Sequence, residues 1–219
     1  WSNAGEWGKH IGQHQMPDQD SLLFWQDAAA LYANHPAVLF DLYNEPHGVS
    51  WAVWRDGGTI TEDKIGPYES PGMQGLLAAV RATGARNVVV ASGLDWGYDL
   101  RGIARGYALE DPDGNGVIYG SHVYPWKGTT RANWDPHVKV IADKHPILIG
   151  EVGCEPDPKQ QDPHIWAPNI LAYINELQLH WTAWTFHPSA TPRMITGWDY
   201  TPTPFWGAYV KEALTDATQ

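Results

Sequence analysis

Residues 40–48 read FDLYNEPHG, an apolar run that passes straight into an amide, a carboxylate, a proline and a histidine. A strand that merely leaves the core for a turn has no need of that order of groups. A strand that delivers side chains to a site does. The choice between the two depends on how the other apolar runs of the chain end.

Five such runs read as strands: AVLFDLYNE (37–45), NVVVASG (87–93), GVIYGSHVY (116–124), PILIGEVG (146–153) and HWTAWTF (180–186). Their near-continuous apolar character predicts parallel strands buried on both faces. Amphipathic stretches between them predict helices over 18–34, 72–84, 132–144, 163–178 and 205–214, with a poorly defined one near 99–108. Strand ends recur about every 30 to 50 residues, the spacing of repeated βα units. The fold class is therefore α/β with a parallel sheet, and with no linker, charge run or low-complexity break the chain reads as one domain over 1–219.

Two parallel-sheet architectures compete. A doubly wound nucleotide binder should carry a glycine-rich phosphate turn, and neither GxGxxG nor GxxxxGK[ST] occurs. A (β/α) barrel instead collects its chemistry at the C-terminal ends of many strands. That is the pattern here, in a TIM-barrel-type arrangement that shows only about five βα units and a leading helix.

Composition narrows the partner. With 43% hydrophobic and 18% charged residues the 219-residue chain is of globular type and can bury a sizeable core. Its 25 acidic against 14 basic side chains give a formal charge of -11, which argues against nucleic acid and against an anionic membrane surface. No apolar run approaches the roughly 20 residues of a membrane-spanning helix. The opening WSNAGEWGKH lacks the basic start and apolar centre of a signal peptide, so any such signal would lie upstream. The lone Cys154 excludes an internal disulfide. Most of the 13 tryptophans are expected in the core, but Trp51, Trp54, Trp96, Trp126 and Trp198 stand in loop-like contexts, where aromatic faces suit uncharged rings such as sugars.

The strand ends themselves read Asn44-Glu45-Pro46, Ser92 to Trp96, His122 to Trp126, Glu151-Val152-Gly153 and Trp184 to His187. Glu45 and Glu151 end two strands three units apart, which in a barrel places them across the top from each other. Facing carboxylates allow general acid catalysis by one and nucleophilic attack by the other, the chemistry that cleaves an acetal. Asn44, His122, Tyr124 and Trp184 would surround them.

LYNEP at 42–46, HVY at 122–124, LIGEVG at 148–153 and WTAWTF at 181–186 together resemble glycoside hydrolase family five, the cellulase family of retaining (β/α)8 barrels. The resemblance covers the whole chain. It implies that Glu45 is the acid/base, that Glu151 is the nucleophile, that Asn44 holds the sugar 2-hydroxyl, that His122 and Tyr124 are the pair on the sixth strand, and that Trp184 is the platform under the cleaved sugar. Trp126 and His187, just past strand ends, would line the cleft. The implied enzyme is a secreted endo-β-1,4-glucanase acting on a β-glucan polysaccharide or oligosaccharide, with no cofactor and no metal. A β-mannanase or exo-β-glucosidase of the same family, or an impaired half-barrel that binds polysaccharide or serves as an assembly unit, are the alternatives.

If NEP ends the fourth strand of such a barrel, the visible strands are numbers four to eight. A five-strand arc leaves sheet edges open, which folded proteins avoid, so a homo-oligomer that covers those edges is expected. Three weaker signals are not read as sites. His10 and His14 have metal-ligand spacing but Gly12 between them and no third ligand, and so read as part of a solvent-facing loop. DPDGNG at 111–116 matches half a calcium loop but has His122 at the twelfth position, and so reads as a turn. Cys154 has no base partner and reads as packing.

Overall fold

The computed structural model of the chain describes residues 13–33, 35–63 and 66–216. All five predicted strands are present: β1 (Phe40–Asp41), β4 (Val89–Ser92), β5 (Val117–Val123), β6 (Ile147–Val152) and β7 (His180–Ala183), in the sheet order β1-β4-β5-β6-β7. An antiparallel pair, β2 (Gly58–Glu62) with β3 (Gly66–Ser70), forms a second sheet that the sequence did not announce. By their contacts the described residues fall into two compact units. One runs to Ser121 and includes Val140–Ile147; the other holds His122–Lys139 and the residues from Leu148 on.

In the first unit, Phe40 is level with Val89 and Val89 with Val117, all in parallel register. β4 is buried at every position, as its continuous VVAS run predicts. Helix α1 (Asp20–Tyr32) turns Trp25 inward, and the indole Nε1 donates to Leu42 O at 3.0 Å. Helix α3 (Gly72–Ala82) buries Met73, Leu76, Leu77 and Val80 at i, i+3, i+4 and i+7. The 99–108 stretch is a π-helical turn over Ile103–Tyr107, broken at Gly106 with φ 101°.

Helix α2 (Trp51–Asp56) was missed for its shortness, though its caps are readable. Ser50 Oγ accepts from Val53 N at 3.2 Å, and Gly57, at φ 80°, donates its N–H back to Val53 O. A Cβ on Gly57 would also run into Ser70 O, so the position needs glycine. Trp54, expected in a loop, is fully buried on this helix with Nε1 donating to Ser92 O at 3.0 Å. The DPDGNG turn is closed by Arg81, whose Nε and Nη2 reach the two Asp111 oxygens at 2.8 and 2.9 Å while Gly116 N donates to Asp111 Oδ2.

In the second unit, Leu148 is level with His180 and Ile149 with Trp181, again in parallel register. α5 (Pro163–Glu176) buries Trp166, Ile170 and Tyr173, and Trp166 packs edge to face on Trp134 with centroids 6.4 Å apart. α6 (Gly207–Asp216) follows β7. The helix predicted over 132–144 is not one helix. It is a single turn, α4 (Arg131–Trp134), then a turn region and a 3₁₀ piece over Lys139–Ile141. Pro136 lies between them, and without an N–H it cannot carry the helical ladder across. β7 also departs from expectation: its residues are exposed or half-buried, because at the end of the sheet order it pairs on one side only.

Candidate active site

The stretch 40–48 leaves the sheet sooner than its apolar run suggests. Leu42 N makes a last ladder bond to Val90 O at 3.0 Å, and the chain then turns so that Asn44 and Glu45 are half-buried. Glu45 has φ 55°, in the left-handed region that a glutamate occupies at a strain of about 1–3 kcal/mol. Neighbouring groups hold that turn. The Gln13 side-chain amide donates to Asn44 O while Asn44 Nδ2 donates to Gln13 Oε1 at 3.2 Å. Tyr43 Oη donates to His14 O at 3.0 Å, and His47 N to Gln15 O at 3.0 Å.

His47 closes the turn from the other side. Its Nδ1 lies 2.9 Å from Glu45 O, and since a carbonyl can only accept, the proton is on Nδ1. The ring stacks on Trp96 with centroids 3.5 Å apart and planes 9° off parallel, and Trp96 N donates to Pro46 O. Burial pushes the His47 pKa down, against a smaller upward pull from the Glu45 carbonyl. None of Gln13, Gln15 or Trp96 was singled out as a support for Glu45. Their link to it is through space, and only the ASGLDW strand end hinted at Trp96.

The second unit assembles the other carboxylate. His122 and Tyr124, two residues apart, point to the same side of the chain as it leaves β5. Tyr124 Oη donates to Glu151 Oε2 at 2.5 Å, and His122 Nδ1 lies 3.6 Å from the same oxygen. The His122 side chain is 3% exposed and that of Glu151 14%, so the carboxylate is largely removed from solvent. Gly150 makes room for the imidazole: a Cβ there would sit 3.1 Å from His122 Nε2. The same residue's carbonyl accepts from the Thr182 hydroxyl, which ties β6 to β7.

Aromatic faces extend from this cluster. Trp126 stacks on Tyr124 at 4.6 Å and 8°, and is 59% exposed. Trp184 is 42% exposed; its N donates to Val152 O and its O accepts from Trp206 Nε1, each at 2.9 Å, so its backbone is fixed on both sides. His187 is more committed to its own loop. Its Nδ1 accepts from Ser189 N and Ala190 N at 3.0 and 2.8 Å, which leaves the proton on Nε2. Its ring meets Trp198 edge-on at 5.1 Å.

Of the weaker signals, His10 lies outside the described residues. His14 does not face solvent as expected: it is 5% exposed, because its ring packs inward with Nδ1 3.3 Å from Glu62 Oε2. Cys154 is 1% exposed, with Sγ 3.6 Å from Phe205 O, and burial pushes its thiol up to about 12.

Parallel strands alternating with helices, with glutamates at strand ends, define a protein of the (β/α)-barrel class. The family profile for the cellulases of glycosyl hydrolase family 5 matches residues 1–190, and the chain belongs to that family. Endoglucanase A of Evansella cellulosilytica is 23% identical over 94% of this chain. A β-glucanase from Saccharophagus degradans superposes with a TM-score of 0.76 at 25% identity over 93% of this chain. A β-mannanase from Streptomyces thermolilacinus shares the fold at a TM-score of 0.64 and 23% identity over 85%. The chain spans 42% of that endoglucanase, 61% of that β-glucanase and 59% of that mannanase.

Proposed function

We propose that the chain carries the catalytic carboxylates of a retaining endo-β-1,4-glucanase, with Glu151 as nucleophile and Glu45 as acid/base. The observation that carries this is the Glu151 environment: a largely buried carboxylate gripped by Tyr124 Oη at 2.5 Å and flanked by His122 at 3.6 Å, in a chain of this family. Support for the substrate comes from relatives. The Evansella protein is named an endoglucanase, and the Saccharophagus β-glucanase has been crystallised with cellotetraose.

The chemistry runs in two displacements. Glu151 attacks the anomeric carbon while Glu45 gives its proton to the glycosidic oxygen, so the bond to the leaving sugar breaks as an ester to Glu151 forms. Glu45, now a carboxylate, then takes a proton from water, whose oxygen attacks the same carbon and frees Glu151. Two inversions return the original configuration. Asn44 is the group suited to the 2-hydroxyl, Trp184 to the sugar face at the cleaved bond, and Trp126 and His187 to the cleft beyond it. No step calls for a cofactor.

A reducing-sugar assay on carboxymethyl cellulose, lichenan and mannan, run beside Glu45→Gln and Glu151→Gln, tests the reading. Glucan should be cleaved, and Glu151→Gln should lower turnover by on the order of a thousandfold or more. Full activity in Glu151→Gln would sink the assignment, and preference for mannan would move the chain to the mannanase reading. Binding of glucan without turnover would favour the impaired polysaccharide binder.

A further inference from the structure

The unforeseen hairpin β2–β3 alternates in burial: Thr59, Thr61, Pro67 and Glu69 face out, while Ile60, Glu62, Tyr68 and Ser70 face in. An inward glutamate on so short a hairpin needs partners, and it has them in the segment 13–16. Glu62 Oε1 accepts from Gln15 N and from Tyr68 Oη, each at 2.8 Å, and Oε2 lies 3.3 Å from His14 Nδ1. Met16 N donates to Tyr68 Oη at 3.2 Å. The Glu62 side chain is 18% exposed, so these bonds act in a site where water competes poorly.

The same segment is the one that grips the turn at Glu45. Gln13 holds Asn44 on its side chain and its carbonyl, His14 O receives Tyr43 Oη, and Gln15 O receives His47 N. One strap thus has the hairpin carboxylate on one side and the left-handed Glu45 turn on the other. At Gln15 the two meet on a single residue, whose N–H goes to Glu62 and whose carbonyl goes to His47.

We propose that Glu62 is a positioning residue for Glu45, acting through residues 13–16, so that the hairpin keeps the acid/base in its strained conformation. The inference rests on Glu45 being the acid/base. Glu62 itself touches no reacting atom. Strain at Glu45 persists only while its surroundings over-determine it, and a small displacement of a proton donor costs about a hundredfold in rate.

Amide hydrogen exchange and leaving-group kinetics on Glu62→Ala and Tyr68→Phe test this. The His47 amide should exchange about ten- to a hundredfold faster in Glu62→Ala, the loss expected for a bond to a buried charge, and less so in Tyr68→Phe. Amides of α3 should keep their protection. An aryl β-cellobioside with a strongly acidic phenol needs no protonation on leaving, and its kcat/KM should hold within about twofold; one with a weakly acidic phenol should lose about tenfold or more. An unchanged His47 amide overturns the brace, with Tyr68→Phe deciding if Glu62→Ala does not fold. Equal loss on both substrates overturns the positioning role. Glu45→Gln serves as the control: if it shows no leaving-group dependence, the acid/base reading fails, while the exchange data still report on the brace.

Discussion

Tyr124 Oη donates to Glu151 Oε2 at 2.5 Å, joining the end of β5 to the end of β6. A hydroxyl so placed fixes one carboxylate oxygen and with it the plane of the Glu151 carboxylate. Tyr124→Phe keeps the ring and its stack on Trp126 but removes that donor. Turnover on a soluble glucan should fall about ten- to a hundredfold, in line with a bond to a charged group, while the thermal midpoint moves little. Steady-state kinetics beside a melting curve check this.

Trp126 lies flat against Tyr124 with more than half its surface exposed. If that face carries sugar, Trp126→Ala should raise KM several-fold and leave kcat nearly unchanged, since a platform away from the cleaved bond binds substrate and transition state alike. A fall in kcat with unchanged KM would instead mean that the stack orients Tyr124.

Arg81 and Asp111 form a pair with side chains 9% and 6% exposed, and the guanidinium holds the Asp111 carboxyl below its usual range. A carboxylate depressed in the folded state adds stability that is present above its unfolded pKa, about 4, and is lost as pH falls further. Asp111→Asn should therefore be less stable than the parent by about 3–5 kcal/mol near neutral pH. The gap should shrink as pH falls below about 4, where the unfolded parent's carboxylate takes up a proton and the folded one follows only at lower pH. Denaturant unfolding at pH 7 and pH 3 compares them.

His47 works with the same sign for a different reason. Its pKa is lowered by burial, so between its folded value and its unfolded value of about 6.5 the unfolded chain binds more protons and stability drops as pH falls. His47→Phe keeps the stack on Trp96 and removes that dependence. Between pH 7 and pH 5 the variant should lose less stability than the parent, read again by denaturant unfolding.

Cys154, buried and raised to about 12, should resist thiol reagents at pH 8 in the native protein and react stoichiometrically after unfolding. Rapid labelling of the native chain would overturn its packing role.

Much of this was legible in the chain. The five strands, their parallel sense and the polar groups at their ends follow from uninterrupted apolar runs spaced by helical stretches, because burial on both faces leaves a composition signature. The hairpin escaped notice because its inner face bonds to a loop and carries Glu62, Tyr68 and Ser70, so no apolar alternation marks it. The helix over 132–144 failed at Pro136, whose missing N–H outweighed the periodicity around it.

FDLYNEPHG by itself determined that an apolar run passes into an amide and a carboxylate, and LIGEVG that a second one carries a carboxylate near its end. Local order of residue types is enough for that, because strand and turn preferences act over a few neighbours. Only the tertiary structure decided what holds those groups. Glu45 sits at positive φ in a turn that Gln13 holds through Asn44, Gln15 through His47, and His47 through the Glu45 carbonyl, and Glu151 is oriented because Tyr124, 27 residues earlier and just past the end of β5, bonds its carboxylate. Such contacts join residues far apart in the chain, and no period or motif within a single run encodes them.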